Sequence, residues 1–396
     1  MLARKITEGV HWVGAIDPDR HLFEEITPLP DGTSYNSYVV KGSEKTALID
    51  TVDPAFCDIL LRRLQSCNVQ RLDYIISNHS EQDHSGSLPV VLENFPESRI
   101  VATPKGKKML MDLLPLPADR IITVEHGETI DLGDRTLEFI HTPWVHWPET
   151  MCTYLPQDKI LFSCDLFGSH LAGNDLYVVD EGRIYDAAKR YYAEVMMPFS
   201  GPVRNNMDKL EGLSIDIIAP SHGPLFDKPE FILGAYRDWV SKDLKNLVVL
   251  PYVSMHGSTK LMVTHFMEAL IERGVRVEFF NLAEADVGRL SMGLVDAATI
   301  VFGSPNVLGG MHPKVVYAAY LANALRPKAK FAAIIGSYGW AMKMDEQLAA
   351  LLHSLKLEVL NPVITRGHPD KADYESLDIL ADSIARRHRE TTSDWQ

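Results

Sequence analysis

"SNHSEQDHSG", residues 77–86, sets His79, Glu81, Asp83 and His84 within six positions, directly after the apolar run "LDYII". On an extended segment side chains alternate between faces. The i, i+2 spacing therefore puts His79, Glu81 and Asp83 on one side, and His84 can turn back to the same point in the loop that follows. One loop can then serve two metal ions. A lone His-x-Glu is more often a solvated polar turn, because both residues are common at surfaces. Company shifts that balance. "HTPWVHWPET" supplies His146 after the strand-like "LEFI", "KILFSCDLFG" ends an apolar run on Asp165, and "IDIIAPSHGP" ends another on His222. All four places share one local grammar: an apolar strand, then a ligand-type residue at its C-terminal end beside a Gly or Pro turn. A metal cluster at one edge of a sheet sandwich needs that arrangement. His141, in "IHTP", competes with His146 but sits inside the strand, where a hydrogen-bonded core or supporting histidine is commoner. His170, in "FGSHLA", stays open between support of a ligand and a structural role. His11, His21, His126, His265, His353 and His388 read as structural or exposed.

At 396 residues and 44.4 kDa the chain exceeds what one core fills, so two domains are expected. Hydrophobic residues at 46% and charged residues at 23% fit a globular protein. The net charge of -14, with no Lys/Arg run, argues against nucleic acid or an anionic membrane face as partner. Cys57, Cys67, Cys152 and Cys164 form no CxxC pair, so neither a zinc ribbon, a rubredoxin-type iron site nor a disulfide framework is encoded. The N-terminal "MLARKITEGVHWVG" lacks a signal-like apolar stretch, and no run of about 18 apolar residues is present. The expected location is the cytoplasm.

Two textures divide the chain. Up to about residue 240, short apolar runs such as "SYNSYVV", "KTALIDTV" and "RIVAT" alternate with turns, as in a layered sheet protein. Beyond it "LKNLVVLPYV" reads as a buried strand, and Met262, Phe266, Ala269 and Leu270 then recur at helical spacing. "AATIVFGSPN", "VVYAAYLANAL", "KFAAIIGSYG" and "EQLAALLHSLK" continue the alternation of strand and helix, which predicts a parallel sheet covered on both faces. The boundary falls near "RDWVSKDLKN", giving expected domains of 1–245 and 246–396, and "RRHRETTSDWQ" reads as a frayed tail. "YVSMHGSTK", residues 252–260, joins a strand to a helix. Ser254, His256, Gly257, Ser258 and Thr259 there bring hydroxyls and backbone N–H groups to a positive helix N-terminus, a cradle for phosphate. It has neither the GxGxxG of dinucleotide binders nor the GK[ST] of a P-loop. "GSPNVLGGMHP" from 303 and "GSYGWAMK" from 336 also follow buried strands, at the carboxyl edge of the same sheet.

"HSEQDH", His146, the Asp165 of "CD" and the His222 of "SHG" resemble the metallo-beta-lactamase fold, with Glu81 standing where its HxHxDH signature has a second histidine. The 252–260 loop resembles the FMN phosphate loop of flavodoxins. The combination, over nearly the whole chain, is similar to the flavodiiron proteins. It implies an α/β chain: an N-terminal αββα metallo-beta-lactamase-like sandwich followed by a flavodoxin-like doubly wound parallel sheet. By that resemblance His79, Glu81 and His146 hold one iron, Asp83, His84 and His222 the other, and Asp165 bridges them. Carboxylate oxygens among imidazoles favour iron that cycles between Fe(II) and Fe(III), because hard donors stabilise the ferric state, whereas histidine-rich sets suit zinc. Ser304, Pro305, Asn306 and Val307, with Ser337, Tyr338, Gly339 and Trp340, are assigned by resemblance to the ring and ribityl environment of FMN.

The expected function is reduction of O2 to water, of NO to N2O, or of both, at a pair of non-haem irons fed by FMN. Tyr192 and His170 are the candidate pocket residues for proton supply, and His21, Leu22 and Phe23 are further candidates to shape the pocket. The resemblance also implies a head-to-tail homodimer or a dimer of such dimers, and an external electron donor, a rubredoxin-like carrier or a deazaflavin. Two alternatives compete: a zinc-dependent hydrolase with an appended flavodoxin module, and a non-enzymatic flavin carrier with a vestigial metal motif.

Overall fold

The computed structural model describes residues 1–395, and the chain divides into two compact units, Met1–Val240 and Ser241–Gln396. In the first unit a seven-stranded sheet runs in the order Arg4–Thr7, Val10–Trp12, Tyr38–Lys41, Thr46–Ile49, Tyr74–Ile76, Arg99–Ala102, Ile121–Thr123. A five-stranded sheet runs Thr129–Asp131, Thr136–His141, Met151–Leu155, Ile160–Cys164, Ile217–Pro220. Their inner faces share one core, in which Val40, Ala47, Ile49, Ile76 and Val101 meet Leu137, Phe139, Met151, Ile160 and Phe162. The outer face of the larger sheet is covered by the helices Cys57–Ser66, Leu88–Asn94 and Pro104–Leu113 through Leu60, Leu64, Val91 and Leu110. The other outer layer contains Glu181–Tyr191 and Pro229–Trp239, with an aromatic nest of Tyr192, Tyr236 and Trp239. Helix, sheet, sheet, helix is the layering.

These helices are only 10 or 11 residues long apart from the seven-residue Leu88–Asn94. Short helices between turns leave little room for a 3.6-residue period to repeat, which is why the sheet texture dominates the sequence. One local expectation is corrected. The extended alternation stops at Glu81, whose carbonyl accepts the N–H groups of His84 (3.0 Å) and Ser85 (2.9 Å), so Gln82–Ser85 is a helical turn and carries Asp83 and His84.

In the second unit the strand order is Arg276–Asn281, Lys245–Tyr252, Ala297–Val307, Phe331–Tyr338, and then both Glu358–Val359 and Val363–Arg366, all pairing in parallel. Sequence order reverses between Lys245–Tyr252 and Ala297–Val307, the switch point at which open α/β sheets take ligands. Met262, Phe266 and Leu270 of Ser258–Glu272 and Leu377, Leu380 and Ile384 of Lys371–Thr391 pack on one face. Up to Trp395, the last described residue, the tail is not frayed; Gln396 lies outside the described residues. Helix Lys371–Thr391 buries His388, whose ring bonds Thr299 Oγ1 (2.7 Å) and Asn246 Oδ1 (3.0 Å), and Asp394 accepts the Asn246 N–H at 2.5 Å. Charged residues there conceal an apolar stripe, Leu380, Ile384 and Ala385, that the sheet buries.

Candidate metal centre and anion-binding cleft

Each metal-type residue follows the end of a strand, and buried polar groups hold the loops in place. Asp50, just past Thr46–Ile49, accepts the Asn78 backbone N–H (2.7 Å) and side-chain N–H (2.9 Å), while Asn78 Oδ1 accepts from Thr153 (2.7 Å). Burial pushes the Asp50 carboxyl up to about 6. Thr51 donates to the His84 carbonyl at 2.5 Å. The His222 loop is held by Asn36, whose amide donates to the carbonyls of Pro220 (2.8 Å) and Gly223 (2.7 Å). Asp50, Trp144, Cys164 and Phe167, all within three residues of a loop or ligand-type side chain of the site, adopt positive φ of 53°, 67°, 51° and 71°. Each such conformation costs on the order of 1–3 kcal/mol in a non-glycine residue and persists only where the surroundings impose it.

The side chains converge around Asp165. Its Oδ2 lies 3.5 Å from His79 Nε2 and 3.4 Å from His146 Nε2; its Oδ1 lies 3.2 Å from His84 Nε2 and 3.4 Å from His222 Nε2. Glu81 Oε2 stands 3.1 Å from His79 Nε2 and 3.2 Å from His146 Nε2. On the other side Asp83 Oδ1 stands 3.2 Å from His84 Nε2, and its Oδ2 3.3 Å from His222 Nε2. Two compact ligand sets result, His79, Glu81, His146 and Asp165 in one, Asp83, His84 and His222 in the other.

The spacing suits cations. Charge-assisted N–H···O bonds run at roughly 2.7–2.9 Å, whereas two donors each about 2.1 Å from one ion stand roughly 3.0–3.4 Å apart. Both Asp165 oxygens and Asp83 Oδ1 are buried without a hydrogen-bond partner, which buried carboxylates seldom tolerate. The backs of the rings are tied as well: His79 Nδ1 bonds Glu149 Oε1 (2.8 Å), and His222 Nδ1 donates to the Ser34 carbonyl (2.6 Å). Those bonds fix the tautomer that aims Nε2 inward.

Electrostatics agree. Burial works against charge on the imidazoles, but Asp165 and Glu81 hold His146 up at about 9, and Asp165 and Asp83 hold His222 up at about 10. His79 and His84 are likewise raised against burial, His79 by its bonds to Glu149 and Glu81, His84 by Asp83 and Asp165. Burial raises Glu81, Asp83 and Asp165, yet the surrounding imidazoles outweigh it and hold all three below the usual carboxylate range.

His141 stays outside both sets, its Nε2 on the Val124 carbonyl at 3.0 Å. His170 is buried beside them, bonded through Nδ1 to Thr33 Oγ1 (2.9 Å) and packed on the His222 ring. It lines a pocket of about 390 Å³ with Glu81, Asp83, His222, Phe23 and Trp147. Tyr192 does not reach that pocket. Its hydroxyl donates to the Trp239 carbonyl (3.2 Å), and its neighbour Tyr191 is the ring beside His170 and His222. Of the 21–23 segment, Phe23 lines the pocket and His21 and Leu22 are exposed. Glu149, Asp50, Asn36 and Ser34 carry no sequence signal of their role, because each acts on a partner 28 to 188 positions away.

In the second unit Ser254, His256, Ser258, Thr259, Pro305, Asn306, Ser337, Tyr338 and Gly339 line one open cleft, joined by Met255 and Gly367. Gly257, at φ 98° with open space where a Cβ would stand, caps the 15-residue helix Ser258–Glu272. Thr259 and Ser337 hydroxyls lie 3.1 Å apart. Ser304 is buried, with its hydroxyl donating to the Pro305 carbonyl and accepting the His312 N–H, so it supports the loop from beneath. Val307 and Trp340 do not line the cleft; Trp340 is 77% exposed and is no core residue.

Residues 33–223 match the family model described as ODP family beta lactamase. A nitric oxide reductase of Moorella thermoacetica is 34% identical over 362 residues, 90% of each chain. The structure of the rubredoxin oxygen:oxidoreductase of Desulfovibrio gigas superposes with a TM-score of 0.94 at 31% identity, covering 98% of this chain and 99% of that one. The flavodiiron protein of Giardia intestinalis gives 0.92 at 26%, covering 98% and 97%. Similarity on that scale, over both units and with the two ligand sets in place, means that the chain belongs to the flavodiiron family, oxidoreductases that carry flavin and iron.

Proposed function

We propose that the chain is a flavodiiron O2 and NO reductase, taking electrons through FMN to two non-haem irons. The observation that carries this is Asp165, with two unpartnered buried oxygens facing four imidazole Nε2 atoms. His79, Glu81 and His146 would hold one iron, Asp83, His84 and His222 the other, and Asp165 both. A ferrous pair held by these residues would supply the electrons for reducing a diatomic gas. The protein's part is to hold three carboxylates and four imidazole Nε2 atoms at fixed spacing, and to shield the pocket with Phe23, Leu29 and Trp147. His170, whose buried Nε2 has no hydrogen-bond partner, holds a proton position at the pocket wall, set by its Nδ1 bond to Thr33.

The cleft at the sheet's switch point suits FMN: hydroxyls of Ser254, Ser258 and Thr259 at a helix N-terminus for the phosphate, and the 305–306 and 337–339 loops for the ring and ribityl chain. Met255, Leu308 and Trp340 stand exposed around those loops, which supports a partner subunit seated there and hence a head-to-tail homodimer. The electron donor is a small external carrier, rubredoxin-like or a deazaflavin. No described helix is long and apolar enough to cross a membrane, in keeping with a cytoplasmic setting.

Anaerobic stopped-flow of the photoreduced protein tests the reading. Flavin reoxidation by O2 or NO, with water or N2O as product, is expected; about two zinc ions per chain, ester hydrolysis and no gas uptake would replace it with the hydrolase.

A further inference from the structure

A second cavity of about 110 Å³ opens in the first unit on the far side of the His222 loop. Its walls are mostly apolar, with Trp12, Ile16, Leu171, Leu176 and Leu225 among them. The polar groups at its floor are spent on one another. Asn36 Oδ1 accepts from Trp12 Nε1 (2.9 Å), the Asn36 amide holds two carbonyls, and Ser34 Oγ accepts the Gly223 N–H (2.8 Å). Arg4 and Arg183 at the mouth are engaged with the Asn174 carbonyl and Asp31, both at 2.7 Å. Asp175 and Asp180 also line the cavity but are exposed, Asp180 accepting the Arg183 N–H at 3.0 Å, so the charged groups stand at the rim and the buried floor presents spent polar groups.

Size narrows the class further. Metabolite-sized ligands fill roughly 300–1,000 Å³, whereas an apolar cavity of about 150 Å³ takes xenon or benzene. Ser34 and Gly223 line the cavity, and the Ser34 carbonyl accepts from His222 Nδ1 while the Ser34 hydroxyl accepts the Gly223 N–H, so the same residues that wall the cavity fix His222, which faces the metal pocket. We propose that this cavity is a holding site for the apolar diatomic gas that the metal centre consumes, separated from it by the thickness of the His222 loop. The idea rests on the proposed O2 and NO reduction. It accounts for an apolar pocket of gas size against the backbone of a ligand-type histidine.

Gly173 lines the cavity, and a Cβ built on it meets nothing within 4 Å, so a larger side chain enters without displacing backbone. Crystals of the full-length holoprotein pressurised with xenon, compared with Gly173→Phe and the smaller plug Gly173→Leu, give a readout independent of turnover. Expected are a xenon atom in this cavity of the parent, none in Gly173→Phe, and a KM for the gas raised about threefold or more with kcat and iron content unchanged. No xenon in the parent cavity, or xenon lost from the variant with KM unmoved, overturns the proposal. Failure of the parent to consume either gas refutes the O2 and NO reading instead, and xenon occupancy reports on the cavity in either event.

Discussion

At position 81 a carboxylate oxygen stands just over 3 Å from the Nε2 atoms of His79 and His146, in the place an imidazole would take in a zinc-preferring set. Hard oxygen donors favour ferric iron, so Glu81→His should shift metal content toward zinc when both metals are supplied, and flavin-driven gas consumption should fall with it. Elemental analysis against turnover checks this. Glu149 touches no ligand-set carboxylate but fixes His79 through Nδ1 and also accepts the Ser80 N–H (3.0 Å). Glu149→Ala should weaken the His79 set by about 10–100-fold in metal affinity, leaving the other set filled. Half the iron with an intact fold is the expected result. The four raised imidazoles also set a pH dependence for the metal-free protein. Their folded values, about 9 for His146 and about 10 for His222, exceed the unfolded value of roughly 6.5. The stabilisation they bring is therefore complete below that value and disappears as pH rises through the folded ones. Thermal unfolding of chelator-treated protein should show Tm falling from about pH 7 to pH 10. Metal affinity should rise over the same window, since fewer protons must leave.

At the scale of elements, the C-terminal segment shows how packing overrides composition. "RRHRETTSDWQ" is polar, yet Thr392 pairs with Leu244, and Asp394 binds the Asn246 N–H and the Arg276 guanidinium. Asp394→Ala leaves the Asn246 donor at the start of the first strand without its partner, a loss of about 1–3 kcal/mol where such a group is buried, toward the lower end here because the site is half-buried. Urea unfolding followed by flavin fluorescence would register it in the second unit. The loop after Tyr74–Ile76 teaches a related lesson. Alternation predicts one face for His79, Glu81 and Asp83, but the turn at Gln82–Ser85 carries Asp83 to the second set and leaves Glu81 in the first. A loop that switches from extended to helical backbone splits its donors between two ligand sets.

For the whole molecule, the exposed ring of Leu308, Trp340 and Met255 belongs to the proposed subunit interface. The double variant Leu308→Glu, Trp340→Glu should keep its flavin and iron, sediment as a monomer, and lose steady-state gas reduction while its flavin is still reduced. A dimer with full turnover would argue against that interface.

The residue types, their spacing and their place after apolar runs pointed by themselves to a candidate metal pocket at a sheet edge, to an anion cradle in a parallel sheet, and to His79, Glu81, Asp83, His84, His146, Asp165 and His222 as candidate ligands, because a strand's end and the turn after it are local properties. Only the tertiary structure decided that Tyr191 rather than Tyr192 faces His222, that Glu149 orients His79, that the charged tail is anchored through a buried His388, and that an apolar cavity backs the His222 loop. Those features join positions far apart in the chain, and their energies arise only when packing removes water from groups that no local sequence pattern links.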